Sequence, residues 1–259
     1  MFSVMSVHPL FKDKAPNSAL ARPGRGSTLS GRIVAETRQA LFEKRLKPGD
    51  FLGGEKDIAA QAGVSRIVAR DALRTLEAMG IVEIKVGLGG GARIAQGDPQ
   101  RFAEALAVQL DLAGIETAEI MDAQRAIEGL AAELAAERAT RADIARLKKL
   151  LVHAEDVIDD APAYTRASLD FHLGVADASH NRVLAVQLLS LHHVSWPQRN
   201  PTLTPKVARH VLTAHQELLS LIETRDGASA RRLMEDHVKM IRARRVAERE
   251  GRGQLNSCC

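Results

Sequence analysis

The feature that most constrains this chain is the spacing of Ala59, Gly63 and Ser65 between two short helix signals. A small residue at position 59 lets two helices cross closely, and Gly63 permits the left-handed turn that separates them. Ser65 is a favourable N-cap for the helix that follows, and Gly80 is a typical helix terminator. Residues 29–79 are therefore predicted to form three helices, of which the last two are joined by a tight turn.

Two strand signals follow these helices and complete the pattern. Residues 81–84 read Ile-Val-Glu-Ile and residues 92–95 read Ala-Arg-Ile-Ala, and residues 87–91 between them contain four glycines. Two such runs joined by a glycine-rich tip predict a β-hairpin. The order helix, helix, turn, helix, strand, tip, strand predicts a winged helix-turn-helix. A generic helical hairpin would explain Gly63, but it would explain neither the strands nor the tip.

Positive charge is concentrated in the same part of the chain. Residues 1–96 carry 15 Lys and Arg against 9 Asp and Glu, whereas residues 97–259 carry 21 against 23. An excess of positive charge on one module indicates a polyanionic partner such as DNA or RNA. The alternative is that the asymmetry only keeps the protein soluble.

From Pro99 onward the periodicity is helical and no convincing strand is found. The predicted helices span 99–112, 115–139, 141–160, 163–179, 181–195, 206–225 and 228–250. The fold class is therefore predicted as mainly α, with an N-terminal winged helix-turn-helix domain and a C-terminal all-α bundle of about seven helices. Thr140 and Asp143 form a predicted capping pair at the start of the third bundle helix.

The domain boundaries and the expected compartment follow from composition. The predicted parts are a mobile tail at 1–27, the winged helix at 28–96, the bundle at 97–251 and a C-terminal tail at 252–259. No run of 18 apolar residues is present, so no membrane-spanning helix is expected. No secretory signal is evident, and the only cysteines are Cys258 and Cys259, which have no assigned role. We therefore expect a cytoplasmic protein that has no membrane partner.

Several motifs resemble those of the GntR family of bacterial transcription regulators. In the first 95 residues they are Leu46-Lys47-Pro48-Gly49, Glu55-Lys56-Asp57-Ile58-Ala59, Val64-Ser65-Arg66 and Arg70-Asp71-Ala72-Leu73-Arg74. The bundle resembles the FCD effector domain of the FadR-like branch through Arg125-x-x-Glu128, Phe171-His172, His180-Asn181 and the pair His215 and His237. The resemblance implies a homodimeric regulator, expected to be a repressor, that binds a palindromic operator with GT and AC half-sites. It also assigns effector binding and dimerisation to the bundle.

The predicted DNA contacts centre on the third helix. Arg66 and Arg70 are four residues apart and share one helix face, where an arginine fork can match O6 and N7 of guanine. A solvated helix face is the alternative for this pair. Lys85 is as well explained as a solubilising lysine of an edge strand. The predicted DNA-binding residues, several of them taken from the resemblance, are Lys56, Ser65, Arg66, Ile67, Arg70, Lys85 and Gly87. The family carries Thr-Pro-Val where this chain has Ile67-Val68-Ala69.

A metal site is predicted in the bundle. His215 and His237 lie eleven residues on either side of a turn near Asp226, so they stand level on antiparallel helices. The resemblance adds His172 as the third ligand of a divalent ion such as zinc or nickel. The family places an aspartate four residues before this histidine, where the chain has Ser168. A weaker metal site, or one completed by the effector's own carboxylate, is therefore expected, and a metal-free polar pocket is the alternative.

The effector is expected to be a small carboxylate that binds beside the three histidines. Arg125 matches an arginine that faces the cavity in the family, and a guanidinium there would hold a carboxylate through two hydrogen bonds. An ion pair with Glu128 or Asp122 on the same helix explains Arg125 equally well. The predicted effector-binding residues are therefore Arg125, His172, His215 and His237.

Two other function classes were compared with a ligand-responsive regulator. Three histidines around an open metal position would also suit a metal-dependent hydrolase. However, the chain has no His-Glu-x-x-His motif, no general base is evident beside the histidines, and a hydrolase would leave the winged helix unexplained. A structural nucleoid protein is disfavoured because the large second domain is net acidic. The chain is therefore predicted not to be an enzyme.

Overall fold

The computed structural model describes residues 7, 28–87, 89–195 and 203–256, with side chains at all of these except 117, 194–195 and 244–256. The chain divides into two compact units, Met1–Asp98 and Pro99–Cys259. The predicted tail at 1–27 lies outside the described residues except for residue 7. Cys258 and Cys259 also lie outside them.

The N-terminal unit contains three helices and a small sheet. Its elements are α1 (Leu29–Phe42), β1 (Phe51–Gly53), α2 (Glu55–Ala62), α3 (Arg66–Ala78), β2 (Val82–Lys85) and β3 (Gly91–Ile94). The predicted turn is present, since Gly63 ends α2 with φ of 66°. The first helix ends at Phe42, about three residues earlier than predicted. The unit therefore has the winged helix-turn-helix order predicted for it.

The sheet has a strand that the sequence did not predict. Its order is β1-β3-β2, and both pairings are antiparallel, with Phe51 opposite Arg93 and Val82 opposite Ile94. Side chains from the sheet and from all three helices meet in one apolar core, which includes Ile33, Leu52, Ile58, Leu76 and Val82. This core fixes α3 against the sheet, so its other face is left to solvent.

The C-terminal unit is all-helical in its described residues. Its helices are α4 (Pro99–Leu112), α5 (Thr117–Arg138), α6 (Arg141–Asp156), α7 (Ala161–Ala178), α8 (Arg182–Ser195), α9 (Pro205–Glu223) and α10 (Gly227–Asn256). The seven predicted helices are all present, and most of their ends differ by only a few residues. The exceptions are α6, which ends four residues earlier than expected, and α10, which continues six residues further and enters the segment assigned to a tail.

Small residues let α5 run through the middle of this unit. Four alanines of α5, from Ala131 to Ala136, are buried with 0–1% of their surface exposed. A Cβ atom at Gly129 would lie 2.6 Å from the side-chain Cγ atom of Glu235 on α10, so a larger residue would force that side chain to move. Helix α5 consequently contacts α7, α8, α9 and α10. Among the described residues, none of the helices combines the length and the apolar composition that a membrane-spanning segment needs.

Candidate functional site

The exposed face of α3 carries the predicted base-reading arginines. The helix begins after Ser65, whose hydroxyl accepts a hydrogen bond from the backbone N–H of Val68 at 3.3 Å. Its buried face consists of Ala69, Ala72, Leu73 and Leu76. The side chains of Arg66, Ile67, Arg70 and Arg74 are exposed on the other side. Helix α3 therefore presents a row of three arginines, one turn apart, to the solvent.

Arg70 is held by a carboxylate from the preceding helix. Its Nε donates to Oε1 of Glu55 at 2.7 Å, and its Nη2 donates to Oε2 at 2.9 Å. The hydrogen bond from Arg70 is the main reason why the pKa of Glu55 is lowered, and the charges of Arg66 and Arg74 lower it further. The same bond raises the pKa of Arg70. The sequence did not predict this role for Glu55, although the residue belongs to the Glu55–Ala59 motif.

The other predicted DNA contacts also lie on the surface of the N-terminal unit. Gly87 stands at the wing tip with φ of 109°, where a side chain would be strained. Lys85 precedes the tip, and Lys56 lies in the first turn of α2. The seven residues predicted to bind DNA are all exposed: Lys56, Ser65, Arg66, Ile67, Arg70, Lys85 and Gly87. Contact with DNA at each of them remains a prediction.

In the C-terminal unit, three helices bring His172, His215 and His237 together. Nε2 of His215 lies 3.1 Å from Nε2 of His172 and 3.2 Å from Nε2 of His237. The three residues come from α7, α9 and α10, and only 1–5% of each is exposed. The level placement of His215 and His237 on antiparallel neighbours is the arrangement that their spacing from the turn predicted.

Aromatic stacking and a carboxylate orient the histidine rings. The ring of Phe171 stacks on His215 at 4.6 Å between centroids, and the rings of His172 and His237 stack at 5.3 Å. Glu128 of α5 contacts Nδ1 of His172 through a short hydrogen bond. A carboxylate at Nδ1 keeps the proton on that nitrogen, so the lone pair of Nε2 points toward the other two histidines. Glu128 is therefore a positioning residue for this three-histidine cluster.

The protonation of the cluster follows from its burial. Burial is the main reason why the pKa of His215 is lowered well below 6.5, and a positive charge on His172 or His237 would lower it further. Burial alone would raise the pKa of Glu128, but His172 and His192 outweigh this effect and lower it. His192 of α8 places its Nε2 3.7 Å from Glu128. The cluster therefore combines a neutral His215 with one ionised carboxylate behind His172.

The donor set fits a divalent metal ion. Two imidazole nitrogens bound to one ion at about 2.0–2.1 Å lie roughly 2.9–3.4 Å apart, for angles from octahedral to tetrahedral. The separations of 3.1 and 3.2 Å between the Nε2 atoms lie in this range. One proton can bridge only two nitrogens, whereas one ion can bind all three lone pairs. His172, His215 and His237 are thus the residues that would hold a metal.

Of two further residues predicted at this site, Ser168 lies near the histidines and Arg125 does not. Ser168 is 5% exposed and lies one turn before His172 on α7. Arg125 is exposed, so the structure does not bring it to the histidines, because the inward face of α5 carries Gln124 and Glu128 instead. Neither alternative partner holds Arg125 in an ion pair: Glu128 contacts the histidines, and Asp122 pairs with Arg242 at 3.0 Å.

The sequence analysis missed two buried polar residues of α5, of which Glu128 contacts the histidine cluster. Glu128 was quoted only as part of the Arg125-x-x-Glu128 motif and as a partner for Arg125. Gln124 was not singled out at all, yet it is 2% exposed, and its Oε1 has no hydrogen-bond partner within the described residues. Their spacing of four residues was the available signal, because it puts both side chains on one helix face.

Family models match both parts of the chain. The model for bacterial regulatory proteins of the gntR family matches residues 29–91, and the FCD domain model matches residues 119–240. The solved structure named Streptococcus agalactiae GntR superposes with a TM-score of 0.60 over 83% of this chain and 99% of its own. Its sequence is 22% identical, so this likeness shows the fold alone.

Curated relatives agree with these matches. The chain is 29% identical to the Uxu operon regulator of Haemophilus influenzae over 220 residues. This match covers 82% of this chain and 80% of the relative. It is 28% identical over 220 residues to an Escherichia coli protein whose name assigns it to the L-lactate dehydrogenase operon, over 82% and 84% of the two chains. Both relatives are named as regulators, which confirms the prediction of a regulator rather than an enzyme. With its GntR-type DNA-binding domain followed by an FCD domain, the chain belongs to the GntR family of transcriptional regulators.

Proposed function

We propose that this regulator binds a palindromic operator as a homodimer and that a small hydroxycarboxylate, held at the three-histidine cluster, controls its affinity for that operator. The observation that carries the proposal is the convergence of three buried Nε2 atoms in the bundle. Effector binding must favour one placement of the DNA-binding domains over another, since a ligand shifts an equilibrium only through differential affinity. We propose release from the operator, and hence repression in the absence of effector.

The DNA-binding half of the proposal rests on the exposed side of α3. Arg66 and Arg70 lie one turn apart on a face that the core leaves to solvent. A recognition helix reads base edges in the major groove with residues near its N-terminus. Ile67 stands between the two arginines with 78% of its surface exposed, so it is available to contact a thymine methyl group. Exposed Lys56 and Lys85 are placed to neutralise phosphates.

The metal half of the proposal rests on the donor set. His172, His215 and His237 would hold a zinc, nickel or similar ion through Nε2, and Glu128 would fix the ring of His172. When bound, the ion supplies open coordination positions that a carboxylate can fill. Ser168 provides only a neutral hydroxyl near His172. The net charge of the metal-bound site is therefore one unit more positive than it would be with an aspartate at position 168. This charge favours an anionic effector.

A hydroxycarboxylate is the chemical class that fits this site. The described side chains that are buried in the bundle include no arginine or lysine, so the metal is the cation available to bind a carboxylate. The buried Oε1 of Gln124, which lies one turn from Glu128, can accept a hydrogen bond from an effector hydroxyl. L-Lactate, which appears in the name of one relative's operon, belongs to this class.

A thermal-shift screen of small carboxylates with and without divalent metal tests the proposal. A ligand at 100 times its Kd stabilises the folded state by about 2.7 kcal/mol, so a fitting hydroxycarboxylate should raise the melting temperature only when metal is present. Equal shifts by the corresponding deoxy acid would contradict the role of the hydroxyl group.

His215→Ala tests the metal site, because it removes the Nε2 atom that lies within 3.2 Å of Nε2 of both His172 and His237. Equilibrium dialysis with elemental analysis should show less bound metal than in the wild-type protein. His210→Ala on the exposed side of the same helix should leave the metal stoichiometry unchanged. Equal stoichiometry in wild type and His215→Ala would remove the metal from the proposal and leave a metal-free polar pocket.

A further inference from the structure

The guanidinium group of Arg70 is fixed in the absence of DNA. Glu55 accepts hydrogen bonds from Nε and Nη2 at 2.7 and 2.9 Å, so two parallel bonds define the plane of the group. A lysine at this position would make a point contact and leave its ammonium free to rotate. The orientation of the exposed Arg70 side chain is therefore defined by its two hydrogen bonds to Glu55.

The free edge of this guanidinium group is a second fork. Glu55 occupies the edge formed by Nε and Nη2, which leaves the N–H groups of Nη1 and the outer N–H of Nη2 available. Two neighbouring N–H groups on one edge are what O6 and N7 of guanine accept. We propose that Glu55 is a specificity-determining residue that positions Arg70 for a guanine without itself contacting a base; this inference rests on the proposed base reading by Arg70.

The surroundings of the pair distinguish it from an incidental surface contact. Glu55 and Arg70 line a groove of about 420 Å³ between α3 and the wing, together with Arg74, Gly90 and Ala92. Arg66 lies one turn earlier on the same face, and within the described residues it has no carboxylate at ion-pair distance. The two arginines thus differ in kind: Arg66 is free to adapt to phosphates or bases, and Arg70 is held in one orientation.

A carboxylate at this surface has two effects of opposite sign. Its negative charge repels the phosphates of any DNA, so its removal should strengthen binding to all sequences slightly. Its hold on Arg70 favours one base at one position, so its removal should weaken the preference for the operator. Measurements on operator and scrambled DNA at the same salt concentration therefore separate positioning from simple electrostatics.

The test begins with in vitro selection of the operator by the full-length wild-type protein. Dissociation constants for operator and scrambled duplexes are then measured for wild type, Glu55→Ala and Glu55→Gln. We expect Glu55→Ala to bind scrambled DNA at least as tightly as wild type, while the operator preference falls about 5-fold or more. Repeating the selection with Glu55→Ala should lose the guanine preference at one position in each half-site, and Glu55→Gln should fall between the two.

Asp71→Asn is the matched control, because it removes one exposed negative charge from the neighbouring position on α3. This control should strengthen binding to both duplexes equally. Glu55→Ala in the background of Arg70→Ala should cause no further loss of specificity, as a double-mutant cycle requires for a residue that acts through Arg70. Circular dichroism checks the folding of each variant, and Glu55→Gln serves alone if Glu55→Ala is unfolded.

Two results would overturn the inference. Equal strengthening of both duplexes by Glu55→Ala and by Asp71→Asn would show that the carboxylate only competes with DNA. A loss of preference spread evenly over the half-site would show that Glu55 supports the domain rather than one contact. If the wild-type protein selects no sequence at all, the proposed function itself fails, which is a different outcome from either of these.

Discussion

At the scale of single residues, the sequence predicted which arginines of α3 share one exposed face, and it missed the carboxylates that orient the candidate site residues. Arg66 and Arg70 follow from a spacing of four on one helix. Glu55 lies 15 residues from Arg70, and Glu128 lies 44 residues from His172. Such contacts depend on how helices are placed against each other, which local periodicity does not encode. These orienting carboxylates therefore required the three-dimensional structure.

Arg125 shows the same limit within one helix. A shift of one position along an α-helix turns a side chain by about 100°, so Gln124 and Arg125 point in quite different directions. Helix α5 contacts four other helices, and its many alanines give no clear apolar stripe from which to read its inward face. The structure places Gln124 inward and Arg125 in solvent.

Arg70→Ala should abolish specific operator binding and leave weak non-specific binding, because it removes the fork but few phosphate contacts. A good bidentate base contact is worth about 1–3 kcal/mol of discrimination in each half-site. Arg38→Ala removes the same charge from an exposed position on α1 and should weaken operator and scrambled DNA equally and slightly. Fluorescence anisotropy at one salt concentration measures both. Equal losses on the two duplexes for Arg70→Ala would contradict base reading.

At the scale of elements, turn and cap residues defined most helix ends. Gly63, Ser65 and the pair Thr140 and Asp143 all occupy the positions that their chemistry predicts. Strand β1 was missed because Phe51–Gly53 has only three residues and no alternation to detect. It becomes a strand through pairing with β3, which follows about 40 residues later along the chain. Short strands of this kind depend on their partner rather than on their own composition.

Gly63→Ala should destabilise the N-terminal unit, because the residue at this turn has φ of 66°. An L-residue with a Cβ atom is disfavoured there by about 1–2 kcal/mol. Gly97→Ala is the matched control, since nothing lies within 4 Å of its added Cβ and its φ is not positive. Urea unfolding followed by circular dichroism measures the difference. No loss of stability in Gly63→Ala relative to Gly97→Ala would show that the turn relaxes at no cost.

Asp143→Asn should make the stability of the bundle less sensitive to acid. Hydrogen bonds from the Thr140 hydroxyl and backbone N–H lower the pKa of Asp143 in the folded protein. A lowered folded pKa stabilises the protein above the unfolded pKa, and this contribution is lost as the pH falls through the folded pKa. A capping interaction is worth about 1 kcal/mol.

The measurement is urea unfolding at pH 7 and at pH 3 for wild type and Asp143→Asn. The difference between the two proteins should be largest at pH 7 and should shrink at pH 3. Asp159→Asn, outside the helix caps, should show no such dependence. A constant difference across this pH range would mean that the carboxylate does not act through its charge.

At the scale of the whole molecule, each unit has its own apolar core. The core of the N-terminal unit and the clusters of the C-terminal unit share no residue. The three-histidine cluster belongs wholly to the second unit, where it joins α7, α9 and α10. A metal ion bound there would connect three helices whose successive histidines are 43 and 22 residues apart in sequence.

Metal should therefore raise the unfolding temperature of the C-terminal unit and leave that of the N-terminal unit unchanged. At 100 times its Kd the ion contributes about 2.7 kcal/mol to the unit that binds it. Hydrogen exchange with and without zinc should show stronger protection in α7, α9 and α10 and unchanged protection in α3. His237→Ala should remove the effect. Equal protection of both units by zinc would argue against a site confined to the bundle.

The division between Asp98 and Pro99 has a practical consequence. A gene cut between these two codons opens neither hydrophobic core, so each half keeps the side chains that it needs to fold. The first half can then be grafted onto an unrelated dimerising scaffold, and under the proposed function we expect the chimera to keep the operator preference and to lose the response to a carboxylate.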